Sequence, residues 1–205
     1  GGFVRSNDLV DYPNIQYRFF PSVVLDHGRK TPAGHSFQAH VGPMRPTSRG
    51  EIKLKSNKPS DAPSIQFNYM QTEHDLNEMR DGIEIARDIF NQRAFDEYRG
   101  KELSPGIQKK SKESINEFIR NKGDTAYHPS CTCKMGNDES SVVNEELKVY
   151  GIDKLRVVDA SIMPNIITGN LNAATVMIAE KASDLILKRS PLELEGHNFY
   201  RANYN

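Results

Sequence analysis

Residues 63–90 read PSIQFNYMQTEHDLNEMRDGIEIARDIF, and within them the hydrophobic period changes. From Ser64 to Met70, Ile65, Phe67 and Tyr69 alternate with polar neighbours, which is the period of a strand with one apolar side. From Thr72 onward Leu76, Met79, Ile83, Ala86, Ile89 and Phe90 fall at three- and four-residue steps, predicting a helix to about Gln92. Thr72 is its cap, and Glu73 and Asp75 complement the positive end of the dipole. Upstream the signals are extended. Asn14–Asp26 (NIQYRFFPSVVLD) is β-branched and aromatic with a break at Pro21, and Ser36–Met44 is a second extended run. Gly50–Ser56 alternates so that Ile52 and Leu54 share the inner face of a half-buried strand. His27–Gly34 and Ser60–Pro63 carry turn chemistry. Downstream, Leu103–Gly106 is a turn. A short helix is expected from Ser111 to Asn121, with Ile115, Phe118 and Ile119 inward and Gly123 as its stop. Short strands follow at Leu147–Tyr150 and Leu155–Val158. A last helix starts near Asn172 and carries Val176, Met177, Ala182, Leu185 and Ile186, and beyond Ser190 a polar, loose tail is expected. The fold class is therefore α+β: an antiparallel sheet with flanking helices.

With 205 residues, 37% of them hydrophobic, the chain can form one sizeable domain or two small ones. Its 27 basic and 27 acidic residues cancel, which argues against a nucleic-acid surface. The 2 cysteines, Cys131 and Cys133, are too few for a secreted disulfide scaffold and too close together for an easy bridge, so a reducing compartment fits. No apolar run approaches the roughly 20 residues that cross a bilayer. The expected location is cytoplasmic, with peripheral contact at the inner face of a membrane left open. The opening Gly1-Gly2-Phe3-Val4-Arg5 lacks an initiator methionine, and the expectation is a fragment.

Two stretches carry chemistry: Thr125–Gly136 (TAYHPSCTCKMG) and Thr168–Thr175 (TGNLNAAT). His128 precedes Pro129, which pushes its backbone toward extended geometry, so the imidazole projects from a loop where it can serve as a proton acceptor. The alternative is a hydrogen-bonded structural histidine. Asn172, at the start of a helix, reads either as an N-cap or as a polar group at a site favouring partial negative charge. His128, Cys131 and Cys133 could also be metal ligands, but zinc needs about four, and the remaining histidines supply no matching pair. A Cys–His nucleophile lacks an orienting third group. Two small thiols lining a loop are the simpler reading.

Seven pieces of the chain are similar to one family, the glucose-methanol-choline (GMC) flavoprotein oxidoreductases. They are GGFVRS (1–6), PNIQY (13–17), FQAHVGPMRPTSRG (37–50), PSIQFNYM (63–70), YRGKELSPG (98–106), HPSCTCKMG (128–136) and LRVVDASIMPNIITGNLNAATVMIAEKA (155–182). The resemblance implies the C-terminal part of such an enzyme. Residues 1–154 would be its substrate-binding (cap) domain, truncated at the N-terminal side, 155–190 the segment completing the FAD-binding domain, and 191–205 a flexible tail. The dinucleotide fingerprint G-x-G-x-x-G does not occur in these 205 residues, so the principal FAD-binding portion is expected to precede them. The implied activity is FAD-dependent oxidation of choline to betaine aldehyde, feeding glycine betaine synthesis, or of another primary alcohol. His128 matches the family's proton-accepting histidine, and Asn172 the second catalytic position. Asp159, Ala160, Asn172, Ala173, Ala174 and Thr175 match segments that touch the flavin. An electron acceptor is a further implied partner. At one point the chain departs from the choline-oxidising members: they commonly read IQYHF, and here stands Ile15-Gln16-Tyr17-Arg18-Phe19. Alternation puts Gln16 and Arg18 on one face, as candidate pocket residues, and Tyr17 on the other.

Overall fold

The computed structural model describes residues 1–24, 29–30, 34–190 and 196. The chain folds as two compact units, one made of Gly1–Thr132 with Asn165–Asn170, the other of Cys133–Pro164 with the chain from Leu171 on. In the first unit β1 (Gly2–Val4), β2 (Ile15–Phe20) and β3 (Gln38–Pro43) form an antiparallel sheet in the order β1-β2-β3. Tyr17 stands opposite Val41 and Arg18 opposite His40. Pro21 immediately follows β2, where a residue without an N–H cannot extend the ladder.

Helix α1 (Glu73–Phe90) lies on one face of this sheet, which is why the apolar residues of β2 alternate as they do. Ile15 and Tyr17 are buried there, and the Tyr17 hydroxyl donates to the Gly82 carbonyl at 2.6 Å. Burial pushes the Tyr17 phenol up to about 12, so it remains a donor. A Cβ on Gly82 would sit 2.6 Å from Val41 Cγ1 and 3.3 Å from Ile15 Cγ2, so helix and sheet meet at this distance only because residue 82 has no side chain.

The start of α1 is fixed by side chains. Thr72 Oγ1 accepts from the Asp75 amide at 3.2 Å. The buried Asp75 carboxylate accepts from the Thr47 amide at 2.7 Å, the Thr47 hydroxyl at 2.9 Å, the Ser48 amide at 2.9 Å and the Ser48 hydroxyl. Burial alone would raise its pKa, but these bonds outweigh burial and hold the carboxyl below its ordinary value. Helix α2 (Lys112–Lys122), capped by Ser111, packs on α1 through Leu76, Ile83, Ile115 and Ile119. Gly123 ends α2 with φ −60°, so left-handed freedom is not what it supplies. A Cβ there would fall 2.6 Å from the Ile119 carbonyl oxygen, and space is the constraint.

Three expectations need correcting. The extended residues up to Met70 make two sheets, because among the described strands β4 (Glu51–Lys53) and β5 (Ser64–Gln66) pair only with each other. Their apolar face is open, with Ile52 54% and Leu54 85% exposed, so the expected half-buried strand is short and uncovered. β5 ends early because Asn68 and Met70 turn left-handed, at φ 53° and 57°. In the second unit the strands expected at 147–150 and 155–158 are isolated bridges, Val143 to Val149 and Lys148 to Arg156. Leu147, Gly151 and Lys154 all have positive φ there, which interrupts any ladder. That unit's core is Val143, Leu147, Ile162 and Ala182, the last from α3 (Asn172–Leu187). Val176, Met177 and Ile186 of α3 are exposed. Most of the turn at His27–Gly34 and, apart from Gly196, the tail beyond Ser190 lie outside the described residues. No helix among those described is long and apolar enough to cross a membrane.

Gly82→Ala is expected to destabilise the first unit by about 1–3 kcal/mol, as overpacking does. Gly100→Ala, where an added Cβ meets nothing within 4 Å, is the control, and chemical denaturation measures both. For Asp75 the folded pKa is depressed, so its stabilisation is complete above the unfolded value of about 3.9 and disappears as the pH falls through the folded one. Asp75→Asn should lose about 1–3 kcal/mol at neutral pH, a deficit that shrinks in acid. A deficit constant down to about pH 2 would contradict the carboxylate account.

Candidate active site

Strand β2 turns Gln16, Arg18 and Phe20 away from α1, and the register adds His40 and Gln38 of β3 to that face. Arg18 Nη2 donates to Gln16 Oε1 at 3.2 Å and to Asn170 Oδ1 at 2.9 Å, and Gln16 Nε2 reaches the same Asn170 oxygen at 3.3 Å. A planar guanidinium with several donors suits this shared acceptor arrangement. His40 stacks obliquely on Phe20 with ring centroids 4.7 Å apart, and its Nε2 accepts from the Gln38 carboxamide at 2.7 Å. Burial, and then the Arg18 charge beside it, lower the His40 pKa, favouring the neutral ring. Gln16 and Arg18 are thus together, as alternation predicted. Asn170 and His40 were not foreseen: Asn170 stands inside the TGNLNAAT stretch, and His40 becomes visible only once strand register is known.

His128 also belongs to the first unit, on a loop bounded by Tyr127 at φ 60° and Cys131 at φ 72°. Its Nδ1 lies 2.6 Å from the Ala126 carbonyl oxygen. A carbonyl only accepts, so Nδ1 carries the hydrogen, and in the neutral form of the ring the lone pair is at Nε2. The ring is partly exposed, and the chemistry this permits is proton removal at Nε2. The Cys131 thiol lies 3.3 Å from Ser130 Oγ, both cysteines are free thiols, and no three metal-ligating side chains cluster among the described residues.

The remaining predicted residues lie in the second unit. Cys133 N and Met135 N donate to the Ser161 and Ile162 carbonyls at 2.9 Å and 2.7 Å, which threads the segment after His128 onto the 3-10 turn Ala160–Ile162. Asp159 caps that turn, accepting from the Ser161 amide at 2.7 Å, and is itself exposed. Helix α3 has Leu171 as its N-cap and no side-chain capping bond, so Asn172 is not the cap: it is the first helical residue. The Asn172 side chain is exposed and makes no hydrogen bond to a described residue. Ala173 and Ala174 follow with small side chains, and the Thr175 hydroxyl is used by the Leu171 carbonyl at 2.9 Å.

The similarity of the chain to known proteins gives the family. The model of the GMC oxidoreductase family matches residues 46–179, and the chain belongs to that family. It is 54% identical over 202 residues to the oxygen-dependent choline dehydrogenase of Pseudomonas fluorescens (strain SBW25), covering 98% of this chain and 36% of the relative. The protein of the same name from Pectobacterium carotovorum subsp. carotovorum (strain PC1) is 52% identical over 200 residues, with the same coverage. The chain therefore spans about a third of the length of these curated relatives. Among solved structures, pyridoxine 4-oxidase from Mesorbium loti superposes with a TM-score of 0.82 at 30% identity, over 92% of this chain and 38% of that one. A formate oxidase gives 0.77 at 28% identity, over 86% and 32%.

The hydrogen bond to Ala126 makes a spectroscopic prediction. The ¹⁵N shifts of His128 at alkaline pH should be those of the Nδ1–H tautomer, and a dominant Nε2–H form would contradict the base assignment.

Proposed function

We propose that this chain is the C-terminal part of an FAD-dependent dehydrogenase of primary alcohols, and that it supplies the groups that handle the proton and hold the substrate oxygen. The observation that supports the reading is the hydrogen bond of His128: Nδ1 is committed to the Ala126 carbonyl, which leaves Nε2 as the ring nitrogen that can take a proton. That nitrogen takes the hydroxyl proton. As negative charge develops on the oxygen, the Asn172 carboxamide, with no hydrogen bond to a described residue, donates to it. The carbon–oxygen bond becomes a carbonyl as the carbinol carbon gives up a hydride.

FAD, when bound, supplies the two-electron acceptor for that hydride at its N5 position. The residues present fit such a group. The first turn of α3 has no side-chain cap, its Ala173 and Ala174 are small, and a helix N-terminus favours electron density on a bound ring. Asn172–Thr175 together with Asp159 and Ala160 would hold it from this chain's side. In the domain scheme we propose, residues 1–154 serve the substrate and 155–190 complete an FAD-binding domain whose larger part precedes Gly1. The re-oxidising electron acceptor is a further partner of the whole enzyme.

Choline, the alcohol in the relatives' name, is the first substrate reading: it would give betaine aldehyde and feed glycine betaine synthesis. Another primary alcohol is the second, and the observation favouring it is Arg18 on the polar face of β2, tied to Asn170 two residues before Asn172. In the full-length enzyme His128→Ala should lower kcat at least about a hundredfold with flavin content unchanged. Asn172→Ala should cost about 10²-fold or more in kcat, the scale of one lost oxyanion donor. Near-normal turnover in both variants would leave a non-catalytic binding domain as the better account.

A further inference from the structure

Among the described residues, the sheet face that carries Arg18 has no acidic side chain. Gln16, Arg18 and Phe20 from β2 meet Gln38, His40 and Gly42 from β3, and only Arg18 among them is permanently charged. Its Nη2 is held by two neutral carboxamide oxygens, those of Gln16 and Asn170. No carboxylate among the described residues pairs with it. His40, directly opposite, offers no compensation: its Nε2 accepts from Gln38 and the ring stays neutral. Nη1 and Nε of Arg18 make no hydrogen bond to a described residue, so the guanidinium retains single N–H donors on either side of the engaged Nη2 for an anionic oxygen. Its anchor, Asn170, is two residues along the chain from Asn172, the residue proposed to hold the substrate oxygen, so chain connectivity alone keeps their Cα atoms within about 7 Å.

We propose that Arg18 sets the charge selectivity of the alcohol site, so that the favoured substrate is a primary alcohol with a carboxylate at its far end and the least favoured carries a quaternary ammonium. The assignment rests on the alcohol-oxidising reading of this site and, reversing the order that the relatives' name suggests, takes the second of its two substrate readings over choline. A cationic head group approaching Arg18 meets like charge with no carboxylate among the described residues paired to it, whereas a carboxylate replaces lost water with a charge-assisted hydrogen bond to Nη1 or Nε.

Three alcohols of similar length separate the charges: 3-hydroxypropanoate, 3,3-dimethylbutan-1-ol, which is the neutral isostere of choline, and choline itself. With the full-length, FAD-loaded enzyme, kcat/KM should fall in that order. Arg18→Gln, which keeps a donor for Asn170, should raise the ratio of choline to its neutral isostere at least about tenfold and lower the ratio of the carboxylate to that isostere by a similar factor. Arg18→Lys should keep both ratios near wild type, and unchanged flavin absorbance shows that each variant is folded. Faster oxidation of choline than of its neutral isostere by the wild type overturns the assignment. So does a ratio that Arg18→Gln leaves within about threefold. His128→Ala, which should slow all three substrates alike, tests the chemistry separately from the selectivity. If the wild type oxidises none of the three, the oxidoreductase reading falls and this assignment with it.

Discussion

The pleat of β2 is the constraint on which the first unit depends. Ile15 and Tyr17 must face α1, because the helix approaches so closely at Gly82 that an added Cβ would lie 2.6 Å from a Val41 methyl group, and the Tyr17 hydroxyl closes the contact on the Gly82 carbonyl. Side chains alternate along a strand, so this core contact commits Gln16 and Arg18 to the opposite face. A slip of one residue would bury a guanidinium against a helix and expose Ile15, a combination of desolvated charge and lost apolar burial that no local rearrangement offsets. The chemistry of the polar face is therefore inherited from the packing behind it.

The two ends of α1 show how little of this depends on regular structure. At its N-terminus one carboxylate, Asp75, satisfies two backbone amides and two hydroxyls of Thr47 and Ser48, which ties the loop after β3 to the helix. Further along, Arg87 Nη2 reaches Glu102 Oε1 at 2.8 Å and the Gly106 carbonyl at 3.2 Å, holding the turn after Leu103. Both are polar anchors for irregular backbone, which otherwise would leave buried amide groups unsatisfied. The second unit follows another rule. Its bridges are isolated, and its short segments are joined by backbone bonds such as Val157 N to Leu147 O at 3.2 Å around a small apolar cluster.

Period explains what the sequence could reveal. The change at Thr72 located α1 within two residues of its end, since a long amphipathic helix repeats its signal many times and Thr72 marks its start. The GMC family was legible because the quoted motifs are long and irregular, and such strings are fixed by site geometry and not by amphipathicity. Burial was less legible. Ile52 and Leu54 alternate as buried residues do, yet alternation states only that they share a face, not that anything described covers it. The short segments at 147–158 carry β-forming residues, but left-handed backbone at Leu147 and Lys154 is a tertiary outcome that propensity does not encode. Of the site, Gln16 and Arg18 followed from alternation, while the Asn170 anchor joins residues more than 150 positions apart and needs the fold to be seen.

The imidazole of His128 is oriented by backbone and not by a carboxylate, which has a chemical consequence. A carbonyl oxygen only accepts, so this contact fixes which ring nitrogen carries the hydrogen in the neutral form. Its aim comes from the chain itself: Pro129 restricts φ on one side, and left-handed residues at 127 and 131 bend the loop on both. Local strain at Tyr127 and Cys131 is then the cost of holding one nitrogen toward its own backbone and the other away from it.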